Sequence, residues 1–284
     1  VASCQYLGED WTLIDCPGSI EFAQDTHNAL LVADVAVVVC EPAPDKAPAL
    51  LPLLRFLDEH AIPHVIFVNK TDLHAPDLPL LMEALQGVSE RPLVLRQVPL
   101  RSGDALTGFV DLISERAYQY KPGGPSALMQ LPEAAKFDEK TARQQLLEKL
   151  ADFDDTLLEQ LLEDAVPEPR AIFAHFAHSL AEDRIVPVML GSAEQRRGIV
   201  RLWKSLRHDL PGVAQTAKRR GFADSLDPVL QVFKTLYVPH TGKLSLARVW
   251  SGEVAENFAP DGARIGGLLR LFGAKHEKLA RARA

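Results

Sequence analysis

The chain has 284 residues, of which 47% are hydrophobic and 24% charged, and its formal net charge is −7. This composition is typical of a globular chain long enough for two domains. The acidic balance disfavours a protein that coats nucleic acid through cationic contacts to phosphates. No apolar stretch reaches the ~18 residues that span a bilayer, and no signal-peptide pattern opens the chain, so we expect no membrane partner.

Apolar runs and helical periodicities alternate along the chain up to Leu210. The runs predict strands at Trp11–Ile14, Asp34–Cys40, Pro63–Val68 and Ile185–Leu190. The periodic segments predict helices at Ile20–Leu31, Pro48–His60, Leu78–Leu85 and Glu194–Leu210. Such alternation predicts parallel strands with covering helices. The continuous apolar content of Val35–Val39 favours a central strand that is buried on both faces.

The first candidate site directly follows the run Trp11–Ile14, where residues 15–18 fit the pattern D-x-P-G. A carboxylate at a strand tip, here Asp15, is placed to reach Mg²⁺, usually through water. The flexible Gly18 lets its backbone N–H approach a γ-phosphate. We therefore predict Asp15, Pro17 and Gly18 as nucleotide-binding residues, with Asp15 also associated with the metal.

The second candidate site follows the run Pro63–Val68, where residues 69–72 fit the pattern N-K-x-D. The carboxylate of Asp72 can accept two N–H donors from guanine, a pattern that adenine cannot supply. Asn69 is predicted to brace the loop, and the aliphatic stem of Lys70 to cover the ring. This pattern and D-x-P-G are each weak alone, but together they predict a guanine-nucleotide-binding domain.

A third segment, Gly191, Ser192 and Ala193, follows the run Ile185–Leu190. By itself the triplet is uninformative. Because it lies after a predicted strand and before a predicted helix, we expect it to supply backbone N–H groups to the base.

About 120 residues separate the second segment from the third, more than one strand–helix unit requires, so we predict an inserted α+β subdomain at about 92–184. The mixed charges of Glu139–Asp155 favour a solvated helix face. The predicted elements of the insert are strands at Pro92–Leu100 and Gly108–Tyr120 and helices at Glu133–Phe153, Asp155–Ala165 and Pro169–Asp183.

The pattern changes to β after residue 210. A linker is predicted at 211–226, and strands follow at Pro228–Val238, Lys243–Ser251 and Ala263–Phe272. Short strands separated by turn residues are typical of a β-barrel. The predicted organisation is therefore a nucleotide-binding domain at 1–210, the linker, and the first part of a barrel at 227–284.

The order and spacing of these motifs resemble elongation factor G and the other large translational GTPases over nearly all of the chain. The matching segments include Ile14–Phe22, Val65–Leu73, Gly108–Leu112 and Val186–Val200. The resemblance implies an α/β fold of the P-loop GTPase type, with a parallel sheet, an inserted α+β subdomain and a following barrel domain. It also implies binding of GTP or GDP with Mg²⁺, GTP hydrolysis and action on the ribosome in the cytoplasm, without direct sequence-specific contact to nucleic acid.

The chain departs from the family pattern in two ways. The phosphate loop G-x-x-x-x-G-K-[ST] appears nowhere in these residues, and neither does the threonine loop that closes over the γ-phosphate. We expect both upstream of Val1, in a longer protein. The second departure is Ser19, which stands where the family has the histidine that orients the attacking water. A serine hydroxyl has a shorter reach than an imidazole, so hydrolysis is in question at this position.

Three alternatives to an elongation factor remain open. A ribosome-protection or release-type relative belongs to the same class. A GTP-regulated module that docks to a partner without turnover is favoured by Ser19. A fragment without nucleotide competence would follow if the gene encoded no phosphate loop.

Other polar and reactive residues are predicted to be structural. Cys4, Cys16 and Cys40 are odd in number, sparse and located on strand-like segments, which favours buried reduced thiols in a cytosolic protein. His175 and His178 are three residues apart on a predicted helix, but without a further ligand at a familiar spacing we expect ordinary packing. The basic cluster Lys218–Arg220 is expected to be a solvated part of the linker.

Overall fold

The computed structural model describes residues 1–73, 77–103, 105–121, 123–163, 165, 167–222, 227–239, 242–256, 258–259, 265–272 and 275–283. The chain divides into two compact units. One unit combines Val1–Ala33 with Gly212–Ala284, and the other is the continuous segment Asp34–Pro211.

The secondary structure alternates as predicted in the first part of the chain and turns to β at its end. The strands are β1 (Ala2–Tyr6), β2 (Glu9–Leu13), β3 (Ala36–Cys40), β4 (His64–Val68), β5 (Leu93–Leu95), β6 (Gln97–Ser102), β7 (Ala105–Asp111), β8 (Arg116–Lys121), β9 (Gly124–Met129), β10 (Val186–Leu190), β11 (Val229–Val238), β12 (Gly242–Ser251), β13 (Glu253–Ala255), β14 (Leu268–Phe272), β15 (Lys275–Leu279) and β16 (Arg281–Arg283). The α-helices are α1 (Ala23–Leu30), α2 (Leu51–Glu59), α3 (Leu78–Gln86), α4 (Lys136–Ala151), α5 (Asp155–Leu162), α6 (Pro169–Ala181), α7 (Ile199–Asp209) and α8 (Val213–Arg219).

The predicted parallel sheet is present in the unit Asp34–Pro211, with strand order β3-β4-β10-β5. Every residue of β4 and of β10 is buried, as expected for central parallel strands with both faces covered. The carboxyl ends of β3, β4 and β10 therefore lie at one edge of this sheet. The loops that carry the second and third sequence segments leave from that edge.

The predicted strand Pro92–Leu100 divides into two elements that belong to different sheets. β5 joins the parallel sheet, because Val186 of β10 pairs with Leu93, whereas β6 begins the antiparallel sheet β6-β7-β8-β9. The inserted part thus begins after β5 rather than at residue 92. The predicted strand Gly108–Tyr120 is likewise a hairpin of β7 and β8, with Glu115 at φ 55° in the turn between them.

A buried ion-pair network joins the inserted sheet to α7. Arg96, between β5 and β6, is fully buried, and its guanidinium donates a 2.8 Å hydrogen bond to Asp111 at the end of β7. Arg201 of α7 donates to the same carboxylate oxygen. Ser114 donates from its backbone N–H and its hydroxyl to the other oxygen, both at 2.8 Å. Asp111 therefore has both oxygens satisfied, as a buried carboxylate requires.

Helix α4 does not present a fully solvated face, contrary to the expectation for Glu139–Asp155. Glu139 and Arg143 are buried, and Arg143 donates a 2.6 Å bond to the carbonyl of Leu112. Lys149 donates a 2.6 Å bond to the carbonyl of Leu93. Arg143 and Lys149 thus join α4 to the residue after β7 and to β5, contacts that charge counting along the helix could not reveal.

In the other unit, β2 pairs with β1 in an antiparallel hairpin, so the run Trp11–Ile14 is not one of the parallel strands among the described residues. β11 pairs with β12, β13 with β16 and β14 with β15, all antiparallel. The predicted strand Ala263–Phe272 is described only from residue 265, and β14 covers its end. The antiparallel pairs fit the predicted barrel, which stays a prediction.

Two smaller expectations for this unit change. The predicted linker contains the short helix α8, in which Thr216 and Ala217 are buried. The basic cluster Lys218–Arg220 therefore lies at the end of a helix and not in an extended linker. Residues 223–226 lie outside the described part. Cys4 is exposed, and Cys16 is only half-buried. The prediction of buried thiols is therefore wrong for Cys4, because β1 lies in a two-stranded hairpin that covers little of its surface. No helix in the described part of the chain is both long and apolar enough to cross a membrane.

Candidate functional site: two joined loops at the edge of the parallel sheet

The loop Asn69–Asp72 leaves the buried strand β4 and is held by its own backbone. The N–H of Asn69 donates to the carbonyl of Cys40 at the end of β3, at 2.8 Å. Lys70 adopts φ 60°, a left-handed conformation that non-glycine residues rarely take, and its side chain is exposed. Asp72 remains half-exposed at the end of the loop.

The second loop, residues 191–198, leaves β10 beside the first and is a closed turn. The N–H of Ser192 donates to the carbonyl of Arg197 at 3.0 Å, and the N–H of Arg197 donates back to Ser192 at 2.9 Å. Gly198 sits at φ 76°, where an added Cβ would lie 2.6 Å from the carbonyl oxygen of Leu190. Because this turn occupies residues 191–198, α7 begins at Ile199, so the predicted helix start at Glu194 is wrong.

Two long-range contacts join the loops. The side-chain oxygen of Asn69 accepts a 2.8 Å hydrogen bond from the backbone N–H of Ala193. The hydroxyl and backbone N–H of Thr71 both donate to the carbonyl of Gly191, at 2.9 and 3.2 Å. A Cβ at position 191 would lie 2.6 Å from the ring of Phe67, so glycine permits this approach. Asn69 thus braces the loops, in agreement with the sequence interpretation.

Only some of the polar groups in the joined loops remain available to bind a ligand. The N–H groups of Ser192 and Ala193 are already engaged within the protein, so their predicted donation to a base would require those bonds to exchange. The carboxylate of Asp72 and the stem of Lys70 remain accessible. A carboxylate acceptor beside an aliphatic stem is suited to a flat ring that presents adjacent N–H donors.

Glu41, which directly follows β3, is a residue that the sequence reasoning missed. One of its oxygens accepts a 2.5 Å hydrogen bond from the ammonium of Lys70, and the other accepts from Lys46. The hydrogen bonds from Lys46 and Lys70 lower the pKa of Glu41 to about 2. Glu41 therefore stays ionised at neutral pH and can restrain the Lys70 side chain; its only sequence signal was its place at a strand end.

The insert also contacts the second loop. The side-chain oxygen of Gln97, on β6, accepts a 3.2 Å bond from the backbone N–H of Leu190. The guanidinium of Arg197 lies 5.7 Å from the ring centre of Tyr120, on β8. These contacts connect the insert to the loop that contains residues 191–193.

The D-x-P-G segment lies in the other compact unit, which contains Val1–Ala33. Asp15, Pro17 and Gly18 are exposed, and a Cβ at position 18 would meet no atom within 4 Å. The backbone N–H of Gly18 is thus approachable, as the sequence predicts for a phosphate contact. Burial raises the pKa of the neighbouring Cys16 thiol, which keeps it neutral.

Ser19 follows at the start of a short 3-10 helix, Ile20–Phe22. Its carbonyl accepts a 3.0 Å hydrogen bond from the N–H of Phe22, but its hydroxyl does not cap that helix. The side chain is exposed. Its hydroxyl is therefore not committed to the helix cap and can contact solvent.

The two histidines on α6 do not meet at one site. His175 pairs with Asp154 through Nδ1 at 2.5 Å, while His178 lies 3.5 Å from Glu182. Each ring has its own carboxylate, in agreement with ordinary packing.

Comparison with known proteins agrees with this geometry. Residues 1–212 match the family described as the elongation factor Tu GTP binding domain. The chain belongs to this family of translational GTPases. Membership gives it a guanine-nucleotide-binding domain, in which the joined loops 69–72 and 191–198 are the candidate base-binding part.

Similar curated proteins carry elongation factor names. An elongation factor G-like protein of Synechocystis is 46% identical over 275 residues, covering 96% of this chain and 41% of that protein. Elongation factor G of Thermotoga neapolitana is 27% identical over 266 residues, covering 89% of this chain and 38% of that protein. The resemblance to the elongation factor G family is confirmed, and the chain spans about two fifths of the length of these relatives.

A crystal structure of a Thermus thermophilus protein superposes with a TM-score of 0.81 at 23% identity, covering the whole of this chain and 42% of that one. At this identity the likeness concerns the fold alone. It confirms the α/β architecture with a parallel sheet.

Proposed function

We propose that the whole protein binds GTP and GDP through Asp15, Pro17, Gly18, Asn69, Lys70, Asp72, Gly191, Ser192 and Ala193, and acts on the ribosome in the cytoplasm as an elongation factor G-type GTPase. The observation that carries this proposal is the pair of contacts from Asn69 to Ala193 and from Thr71 to Gly191. They hold the two loops together on buried strands and leave the Asp72 carboxylate accessible.

Mg²⁺ belongs to the proposal through Asp15. Its carboxylate is exposed beside an approachable glycine, and carboxylate oxygen is a ligand type that Mg²⁺ accepts, directly or through water. The ion would neutralise charge on the nucleotide phosphates.

A second candidate function is a GTP-regulated module that docks to the ribosome with little or no hydrolysis. Ser19 favours it, because an exposed serine hydroxyl replaces the longer imidazole that the family uses to orient water. A ribosome-protection or release role within the same class differs from elongation only in what the whole protein does on the ribosome.

Base recognition tests the proposal most directly. In the full-length protein, Asp72→Asn replaces a carboxylate acceptor by an amide and should weaken GTP binding while improving binding of xanthosine triphosphate. Loss of a pair of charge-assisted bonds should cost about 2–4 kcal/mol in GTP binding, which titration calorimetry would resolve.

Asp45→Asn is the matched control, because it removes an equal charge from an exposed position outside both loops. It should leave both affinities unchanged. Equal GTP affinity of the Asp72→Asn variant and the wild type would refute the assignment of Asp72 and with it the proposed base site.

A further inference from the structure

A cluster of buried ionisable side chains lies at the opposite end of β4 from the nucleotide loops. Asp58 is near the end of α2, His64 is the first residue of β4, and Asp183 follows α6. Their relative exposures are 7%, 0% and 1%. One ligand atom from each residue lies within 4.8 Å of the other two. Three chemically suitable groups thus converge in the interior.

The polar atoms of this cluster are poorly satisfied. Both carboxylate oxygens of Asp58, one oxygen of Asp183 and Nε2 of His64 are buried without a well-formed hydrogen bond among the described residues. The backbone N–H of Glu90 acts as a hydrogen-bond donor to Asp58, so that carboxylate is only partly satisfied. Leaving such groups unpaired costs free energy, so the arrangement lacks a partner that a bound ion could supply.

Arg91 alone does not neutralise the two carboxylates of the cluster, Asp58 and Asp183. Nε of Arg91 lies 3.3 Å from Asp183 and 3.7 Å from Asp58, and it supplies one positive charge to two carboxylates. The Arg91 side chain is 36% exposed, so it can turn toward solvent without being buried elsewhere. A dication would neutralise both carboxylates and take the place of the guanidinium.

The imidazole selects the class of ion. Nδ1 of His64 lies 3.0 Å from the carbonyl oxygen of Ile62 and 3.4 Å from one oxygen of Asp183, and the tautomer with an N–H on Nδ1, donating to the backbone, leaves the lone pair on Nε2. A backbone carbonyl bonded to the second ring nitrogen is the usual support of a metal-ligating histidine. One nitrogen and two carboxylate oxygens suit zinc and related first-row dications, whereas Mg²⁺ and Ca²⁺ prefer oxygen alone.

We propose that Asp58, His64 and Asp183 bind a zinc-type divalent cation and that Arg91 occupies its place when the metal is absent. The ligand atoms, which lie within 4.8 Å of one another, need to close by up to about 1.5 Å to match the separations of a tetrahedral zinc site. Because α2, β4 and the end of α6 each contribute one ligand, binding would fasten these elements together at the edge away from the nucleotide loops.

The test begins with residues 1–284 freed of metal by a chelator and titrated with Zn²⁺ and with Co²⁺. We expect one equivalent to bind, with a rise in the thermal unfolding temperature and, for Co²⁺, the visible absorption of a tetrahedral site. Asp58→Asn and Asp183→Asn should each weaken binding by roughly tenfold or more. Absence of Zn²⁺ binding by the folded wild-type chain overturns the proposal.

Arg91→Gln is the distinguishing variant, because removing the competing cation should strengthen Zn²⁺ binding at least severalfold and does not depend on the ligand variants folding. Weaker or unchanged binding by Arg91→Gln would show that the metal does not compete with Arg91 for these carboxylates and would overturn the assignment of the site. A control variant with three substitutions, His175→Gln, His178→Gln and Cys4→Ser, removes other possible metal ligands. It should bind Zn²⁺ as the wild type does. Loss of the equivalent in this control would place the metal elsewhere and overturn the assignment.

Discussion

Asn69 and Thr71 join the two candidate nucleotide-binding loops, although neither is predicted to make the discriminating contact with the base. The amide oxygen of Asn69 accepts a hydrogen bond from the backbone N–H of Ala193, and the hydroxyl of Thr71 donates one to the carbonyl of Gly191. Hydrogen bonds of this kind contribute about 1 kcal/mol each, which is enough to favour one loop arrangement over its alternatives. Asp72, by contrast, remains accessible to a ligand, as its proposed contact with guanine requires.

In the proposed function, GTP turnover depends on the residue at position 19, which is Ser19. In the full-length protein we expect ribosome-stimulated GTP hydrolysis to be slow or absent, because the serine hydroxyl is too short to orient an in-line water. Ser19→His should raise the single-turnover rate roughly tenfold or more, while nucleotide affinity changes little because the exposed side chain does not reach the base.

Ser19→Ala is the control for this prediction and should hydrolyse GTP no faster than the wild type. The measurement is single-turnover hydrolysis with and without ribosomes. If the wild-type rate already equals that of an elongation factor with histidine, serine is no handicap and the non-hydrolysing alternative loses its support.

At the scale of elements, the buried strands of the parallel sheet anchor the two loops, and the insert packs against β10 and the second loop. β4 and β10 are buried along their whole length, so the loops that follow them start from fixed positions. Gln97 and Tyr120 of the insert contact β10 and the loop that follows it. Asp111 forms ion pairs with Arg96, between β5 and β6, and with Arg201, on α7. The insert and the second loop are therefore connected through packed side chains.

Asp111→Asn tests how much this connection stabilises the unit. The variant leaves two arginines facing a neutral amide, and breaking a buried pair in this way should lower the free energy of unfolding by about 3 kcal/mol. Chemical denaturation of the chain would measure the change. Asp45→Asn, an exposed change of equal charge, should alter stability by less than ~0.5 kcal/mol.

The same residue predicts a pH dependence. Burial alone would raise the pKa of Asp111, but Arg96, Arg201 and the two hydrogen bonds from Ser114 outweigh it and hold the pKa below its ordinary value of 3.8. A depressed carboxyl pKa contributes stability that is present above the ordinary value and is lost as pH falls through the folded-state value. The stability difference between wild type and Asp111→Asn should therefore be constant near neutrality and shrink below about pH 4; a constant difference down to about pH 2.5 would contradict the ion-pair assignment.

At the scale of the whole molecule, base contacts and phosphate contacts are separable. Residues 1–284 contain no G-x-x-x-x-G-K-[ST] segment. Such a segment normally supplies most of the contacts that bind the β-phosphate. We expect this chain to bind GDP only weakly, with a dissociation constant above about 1 μM, and to bind guanosine within about tenfold of GDP.

Calorimetry with both ligands checks this expectation. Asp72→Asn in the same chain should remove what binding remains, which shows that the base is the point of contact. Submicromolar binding of GDP together with much weaker binding of guanosine would mean that these residues hold the phosphates by another route.

The sequence determined the family, three of the parallel strands, β3, β4 and β10, and the three loop segments, because each of these depends on short patterns. A continuous apolar run such as Val65–Val68 has to be buried on both faces, and the residues that follow it then lie at the strand's carboxyl end. Local signals of this kind are sufficient for strand existence and for the position of a motif after it.

The tertiary structure decided the features that depend on distant partners. Asn69 and Ala193 are 124 residues apart, Thr71 and Gly191 are 120 apart, and Glu41 and Lys70 are 29 apart, so no local pattern predicts which atoms meet. The start of α7, the place of β5 in the parallel sheet and the convergence of Asp58, His64 and Asp183 have the same origin. Periodicity fixes which face of an element is apolar, whereas the packing of several elements together decides which polar groups are buried side by side.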